Sequence, residues 1–227
     1  MLASLLGRSV NVSREALRRH LTARGINEAD IGGPLDRPVA ADYFVIHDTS
    51  TPNLVRAPIP DDINESTWPH NRLRTHVGFQ RAHAFVNRVG ESLTTHDFRA
   101  ATPRHGIKLE DRFPALAARF LHVENIQPRR CDTATVRRCC RPNPRRPGEM
   151  ICNDNVAPTP GFSDPQLDRL ALLYVAASVR RGQWLIPAFH AVLDVGIADA
   201  HDDPQNFDLG QWDGRLGALL REIGGAP

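Results

Sequence analysis

The sequence has no apolar run close to the roughly 20 residues that a membrane-spanning helix needs, so no transmembrane segment is predicted. Lysine is almost missing: Lys108 is the one lysine among 227 residues, and arginine supplies the other basic side chains. A formal net charge of only +2 gives no sign of a nucleic-acid partner. Residues 1–19 lack a sustained apolar segment and are therefore a poor secretory signal.

Cysteine is scarce as well, and all four cysteines fall in one segment rich in proline and arginine: Cys131, Cys139, Cys140 and Cys152. Such a segment cannot form a core of its own, so we expect two disulfides in an insertion at about residues 129–157. Disulfides would place the protein in a periplasm or outside the cell. A structural zinc knot and four free thiols are the alternatives, although the spacing lacks the paired C-x2-C of zinc ribbons.

The first part of the chain divides into an arm and the start of a larger domain. Residues 1–40 are predicted to form an N-terminal arm, in which Ser13 caps a short helix that ends near Arg24. Residues 41–227 form the main domain. Its strand-like runs are 43–47, 83–89 and 119–124, and residues 91–96 are a candidate hairpin partner of the second run.

Two helices are predicted in the second half of the chain. The first covers residues 164–181, where Ser163 and Gln166 have the spacing of a capping box. The second covers about residues 209–222, after Asp208. Strands separated by helices predict a mixed α/β fold with a central mixed β-sheet flanked by helices.

Three polar residues stand where predicted strands or apolar runs end. His47 closes the run "YFVIH", His190 closes the run from Leu185 to Phe189, and Asp203 stands in the polar segment "HDDPQNFD". Two neutral imidazoles and one carboxylate suit a three-ligand catalytic zinc site with a fourth position open to water. The other histidines are expected to be solvated or, as for His122 in a strand, hydrogen-bonded for structural reasons.

Five ordered segments resemble a known family. They are "YFVIHDTSTP", "RAHAFVNRVGE", "FLHVEN", "SDPQLDRLALLYVAASVRRG" with the following "IPAFH", and "HDDPQNFDL". In this order they are similar to the zinc-dependent N-acetylmuramoyl-L-alanine amidases of the type-2 amidase and peptidoglycan-recognition-protein family. The similarity extends over about residues 41–223, and it implies the central sheet of that family.

The resemblance also implies a set of site residues. His47, His190 and Asp203 match the three Zn²⁺ ligands, and Glu124 matches the general base. His201 stands where many members carry a lysine, which suggests a residue that polarises the amide oxygen. The implied substrate is peptidoglycan or a muropeptide, cleaved between N-acetylmuramic acid and L-alanine.

The chain departs from the family pattern near the second and third ligands. Asp194 is displaced from the usual G-H-x-D turn, and His201 and Asp202 compete with Asp203 for the third ligand position. Two other functions fit the same pattern, namely a peptidoglycan-binding protein without activity and an amidase-fold hydrolase of another amide. The sequence leaves the oligomeric state open.

Overall fold

The computed structural model describes residues 1–52, 54, 57–76, 82–99, 106–129, 141–142, 150–151, 160–197 and 201–224. The four cysteines, and with them the predicted disulfides, lie outside these residues. Within the predicted insertion, two short strands pair in antiparallel fashion, with Arg141 opposite Ile151. Among the described residues, no helix has the length and apolarity needed to cross a membrane.

The described residues form helices, strands and short 3-10 turns. The helices are α1 (Leu2–Leu5), α2 (Arg14–Ala23), α3 (Lys108–Arg112), α4 (Asp164–Arg181), α5 (His190–Leu193) and α6 (Leu209–Ile223). The strands are β1 (Tyr43–Asp48), β2 (Ala84–Val86), β3 (Ser92–Thr94), β4 (Phe120–Asn125), β5 (Arg141–Pro142), β6 (Met150–Ile151) and β7 (Ile186–Phe189). The 3-10 turns are Glu28–Ile31, Pro69–Asn71, Leu73–His76 and Pro114–Arg119.

Five strands form one sheet in the order β3-β2-β4-β1-β7. β1 is parallel to both β4 and β7, β2 is parallel to β4, and β3 pairs antiparallel with β2. The predicted α/β class with a central mixed sheet flanked by helices is therefore confirmed. The predicted hairpin is confirmed as well, because β2 and β3 pair in antiparallel fashion. Gly90, with φ of 83°, lies in the turn between them.

The register of β1 on β4 divides the side chains between two faces of the sheet. Tyr43 lies opposite Phe120, and His47 lies opposite Glu124. Since neighbouring side chains alternate along a strand, Val45, His47 and Glu124 point to one face. Phe44 points to the other face, where it packs against α4 in the main apolar core. The same two strands thus contribute to a helix-covered face and to a polar face.

Helix α4 is buried on nearly all sides. Residues 170–180 are all buried, because the helix lies between the sheet and helices α2 and α6. Ser163 caps its first turn by accepting from the Gln166 N–H, as predicted. The reciprocal half of the capping box was wrong: the Gln166 amide instead donates to the carbonyls of Val86 and Ile126, just at or beyond the ends of β2 and β4.

The N-terminal arm packs on the same core. The Ser13 side chain caps α2, and Leu17 and Leu21 on one face of that helix are buried. Val39, near the end of the arm, belongs to the same apolar cluster as Phe44 in the sheet. Residues 1–40 therefore cover part of the layer formed by α4 and α6, and their turn Glu28–Ile31 also packs against β3.

Candidate metal centre

Two of the predicted site residues lie side by side at the carboxyl ends of parallel strands. His47 is the fifth residue of β1, and Glu124 is the fifth residue of β4; they are direct partners in the register. Apolar neighbours such as Val45 are fully buried and fix these strand ends in place. Ligands commonly bind at the carboxyl edge of a parallel sheet, so the polar residues stand at the expected place.

His190 reaches the same edge from the neighbouring strand. It directly follows Phe189, whose partner in the register of β7 on β1 is Ile46, the residue before His47. The chain turns into helix α5 at His190, and this turn brings the Asp194 carboxylate to 2.9 Å from His190 Nε2. Residues four apart lie on one helix face, which explains why the displaced Asp194 still contacts the histidine.

Asp203 completes the cluster from the loop before α6. Its Oδ2 accepts from the backbone N–H of Asp48, at 3.3 Å, and its backbone carbonyl accepts from the N–H of Ala191 in α5, at 2.8 Å. The loop is therefore attached both to the end of β1 and to the first turn of α5. Asp203 itself is 4% exposed, so a buried carboxylate faces the two imidazoles.

The three side chains converge with the spacing of metal ligands. His47 Nδ1 lies 3.1 Å from His190 Nδ1 and 3.3 Å from Asp203 Oδ2, and His190 Nδ1 lies 2.9 Å from Asp203 Oδ1. Ligand atoms around a tetrahedral zinc ion, at bonds of about 2.0–2.1 Å, are about 3.3 Å apart. The donor set of two imidazole nitrogens and a carboxylate also suits zinc. Within the described part of the chain, these residues can hold a metal ion.

The electrostatics of the cluster favour a cation. Burial alone would lower the pKa of His190, yet hydrogen bonds to Asp194 and Asp203 raise it to about 10. Burial lowers the pKa of His47 to about 3, which keeps this imidazole neutral. Burial would raise the pKa of Asp203, but the hydrogen bond from His190 and the nearby His47 ring hold it well below its usual range. Asp203 and His47 are thus in the ionised and neutral states that bind a metal, whereas His190 is protonated and would release its proton when a metal binds.

Glu124 has the properties of an acid–base residue beside this cluster. Its Oε2 is buried and has no hydrogen-bond partner among the described residues. Burial, together with the negative charges of Asp203 and Asp48, raises the pKa of Glu124 to about 8. A bound cation would favour the carboxylate form and bring this pKa down. The surroundings of the predicted base therefore move its pKa towards neutral pH, where a general base is most effective.

The two competitors for the third ligand position have other neighbours. The Asp202 carboxylate accepts from Arg129 Nη1 at 2.8 Å and also from the side chain of Gln205. The His201 ring is partly exposed and stacks on the His190 ring, with centroids 5.0 Å apart. Among the three candidates, Asp203 is the one in contact with both histidines. His201 stands beside the cluster, which is compatible with its predicted role.

Sequence reasoning missed the residue that holds the third-ligand loop. Arg129 is 1% exposed and donates through two of its nitrogens to Asp48, at 3.1–3.3 Å, in addition to its contact with Asp202. Asp48 in turn accepts from the backbone N–H of Gln205 at 2.9 Å. Arg129 stands at the start of the predicted insertion, where no motif signals it. Asp48 has the signal of directly following His47.

Comparisons with known proteins add little to this geometry. No protein family matches the chain, and no curated protein sequence does. Among solved structures, the crystal structure of a selenomethionine derivative of AmpD is similar, with a TM-score of 0.44 and 14% sequence identity. The match covers 82% of this chain and 98% of that chain. A likeness at this level assigns no function, so the metal centre rests on the convergence of His47, His190 and Asp203.

Proposed function

We propose that the protein is a zinc-dependent peptidoglycan amidase that hydrolyses the amide between N-acetylmuramic acid and L-alanine of the stem peptide. The observation that carries the proposal is the buried cluster of His47, His190 and Asp203 beside the buried Oε2 atom of Glu124. The order of the sequence segments supports the choice of substrate. Peptidoglycan as substrate, together with the cysteine-rich segment, favours a periplasmic or exported location.

A zinc ion held by these three residues supplies Lewis-acid polarisation of a carbonyl oxygen and of a water molecule. The carboxylate of Glu124 accepts a proton from the attacking water and returns it to the leaving amine. The low exposure of His47 and Asp203 keeps bulk water away from the reacting atoms and strengthens each charge in the site. His201, whose ring stacks on His190, would donate an N–H to the developing oxyanion.

The decisive experiment compares two variants on purified sacculi and defined muropeptides. His47→Ala should lose both zinc and activity. Glu124→Gln should keep one zinc per chain and lose activity by about 10²- to 10⁴-fold. Metal content is measured by mass spectrometry of the dialysed protein, and products are identified by mass. A matched control is His20→Ala, because His20 is buried in α2, which packs on the helix-covered side.

Each alternative function gives a different result in the same assay. An inactive binding protein would retain sacculi without releasing peptide, even when fully loaded with zinc. A hydrolase of another amide would leave the bond between the lactyl group and L-alanine intact and cleave a different bond. Full activity of Glu124→Gln would contradict the assignment of Glu124 as the base.

A further inference from the structure

We propose that Glu110 and His122 are positioning residues that hold His47 in the tautomer able to bind a metal, and that helix α3 anchors both metal histidines. This inference rests on the metal site of the proposed function and is independent of its substrate. Glu110 lies outside the segments that resemble the amidase family, and His122 lies in the segment "FLHVEN" but matches neither a ligand nor the base.

Glu110 is a buried acceptor at the start of a chain of hydrogen bonds. It is 3% exposed, and its Oε2 accepts from the backbone N–H groups of Gly106, at 3.0 Å, and Ile107, at 3.4 Å. Its Oε1 lies 3.1 Å from His122 Nε2. A carboxylate has no proton to donate, so His122 must carry its proton on Nε2.

The orientation of His122 decides the proton of His47. A neutral imidazole with a proton on Nε2 has a bare Nδ1, which accepts hydrogen bonds. His122 Nδ1 lies 3.0 Å from His47 Nε2, so His47 donates from Nε2. Its Nδ1 is then bare and faces His190 and Asp203. Glu110 thereby fixes, through one intervening ring, which nitrogen of His47 is available to a metal.

The second histidine is fixed from the same short helix. Asp194 is fully buried, and its carboxylate accepts from the backbone N–H groups of Lys108, at 2.8 Å, and Leu109, at 2.9 Å. It also accepts from His190 Nε2, which leaves His190 Nδ1 facing the cluster. Both outer hydrogen bonds of the metal histidines therefore end on the first residues of α3. Outer partners of this kind orient the ligand rings and set their tautomers.

The His122 ring lies between Gly106 and the His83 ring. A Cβ added at Gly106 would lie 2.5 Å from both Cε1 and Nδ1 of His122, which no real Cβ contact allows. On its other side His122 stacks near His83, with ring centroids 5.9 Å apart, and its backbone N–H donates to His83 Nδ1. Gly106→Ala therefore displaces the ring while every hydrogen-bonding side chain stays in the sequence.

The first measurement tests the tautomer without any metal or substrate. Long-range ¹H–¹⁵N spectra of the metal-free protein should show His47 protonated on Nε2. In the Glu110→Gln variant, the His47 proton should shift towards Nδ1. The reason is that the amide nitrogen of glutamine, placed at His122, donates where the carboxylate accepted. His47 protonated on Nδ1 in the metal-free wild type would overturn the proposal.

The second measurement is zinc affinity, determined by competition with a chelator. We expect a loss of about 10- to 100-fold for Glu110→Gln, His122→Phe and Gly106→Ala. His122→Asn should recover most of the affinity, because its Oδ1 replaces the Nδ1 acceptor. His20→Asn is the matched control at a buried histidine outside the site and should bind zinc like the wild type.

Two results distinguish an error in the positioning role of Glu110 and His122 from an error in the proposed function. If Glu110→Gln and His122→Phe bind zinc as tightly as the wild type, the positioning role is wrong, whatever the activity on sacculi. If the zinc affinity of these variants falls as expected while the wild type cleaves no peptidoglycan, the positioning role is supported and the proposed substrate is wrong. If a variant fails to fold, the tautomer of the wild-type protein still decides the proposal.

Discussion

The two faces of the sheet are equally buried and yet chemically opposite. On the face covered by α4, Phe44 and Ile46 are fully buried and contact only an apolar core. On the other face, His47 and His122 are 2% and 1% exposed, and every ring nitrogen has a polar partner within 3.3 Å. Burial therefore does not distinguish structural from functional positions here. The distinction lies in the partners that each buried group requires.

The largest effect on stability is expected on the helix-covered face. Phe44→Ala removes a ring that packs edge-on against Tyr174, with centroids 5.5 Å apart. We expect the free energy of unfolding to fall by about 3–5 kcal/mol, measured by urea denaturation. Zinc content should remain at one per chain in the folded fraction. Phe113→Ala, at a phenylalanine that is 48% exposed, is the control and should change stability by no more than about 0.5 kcal/mol.

A smaller effect, with a clear dependence on pH, is expected at Glu124. Because burial raises its pKa from 4.5 to about 8, the folded metal-free protein holds a proton that the unfolded chain has already lost. The stability that this extra proton provides is fully present below about pH 4.5 and is lost as the pH rises from 4.5 to 8. Above pH 8 the stability no longer changes through this group. Relative to the wild type, Glu124→Gln should gain stability as the pH rises through this window, by up to about 1.4 kcal/mol per pH unit. If the difference in free energy of unfolding between Glu124→Gln and the wild type is constant from about pH 4 to 9, the raised pKa of Glu124 is contradicted.

The smallest effect is expected at the rim of the metal face. The Asp202 side chain is 34% exposed, so one partner of its ion pair with Arg129 is partly open to solvent. Asp202→Asn should therefore cost less than about 1 kcal/mol, and it should keep its zinc. Asp203→Asn removes the charge that faces both histidines and should lose the metal. If both variants lose zinc equally, the assignment of Asp203 as the third ligand is wrong.

The sequence predicted the main strands and both long helices because their patterns are local. The apolar run of β1 and the Ser13 and Ser163 caps depend only on neighbouring residues. Gln166 was misread for the same reason: its spacing fits a capping box, whereas its buried amide donates to the carbonyls of Val86 and Ile126, which are 80 and 40 residues away. A local pattern carries no information on which distant groups compete for a side chain.

The candidate site was predictable only in part. His47, His190 and Asp203 stand at the ends of apolar runs and in ordered motifs, and the structure brings them together. His122 had a usable signal, since it lies two residues before Glu124 and therefore on the same face of β4. Glu110 and Arg129 had none, because they lie in segments without a readable pattern. Their roles arise from the packing of α3 and of the loop around Asp203.

One bond described above links the second and third ligand segments through the main chain alone. The Ala191 N–H, one residue after His190, donates to the carbonyl of Asp203 at 2.8 Å. Because every residue except proline carries these two groups, replacing the side chain at position 191 leaves the bond intact. The spacing between the two ligands is thus buffered against most changes in sequence.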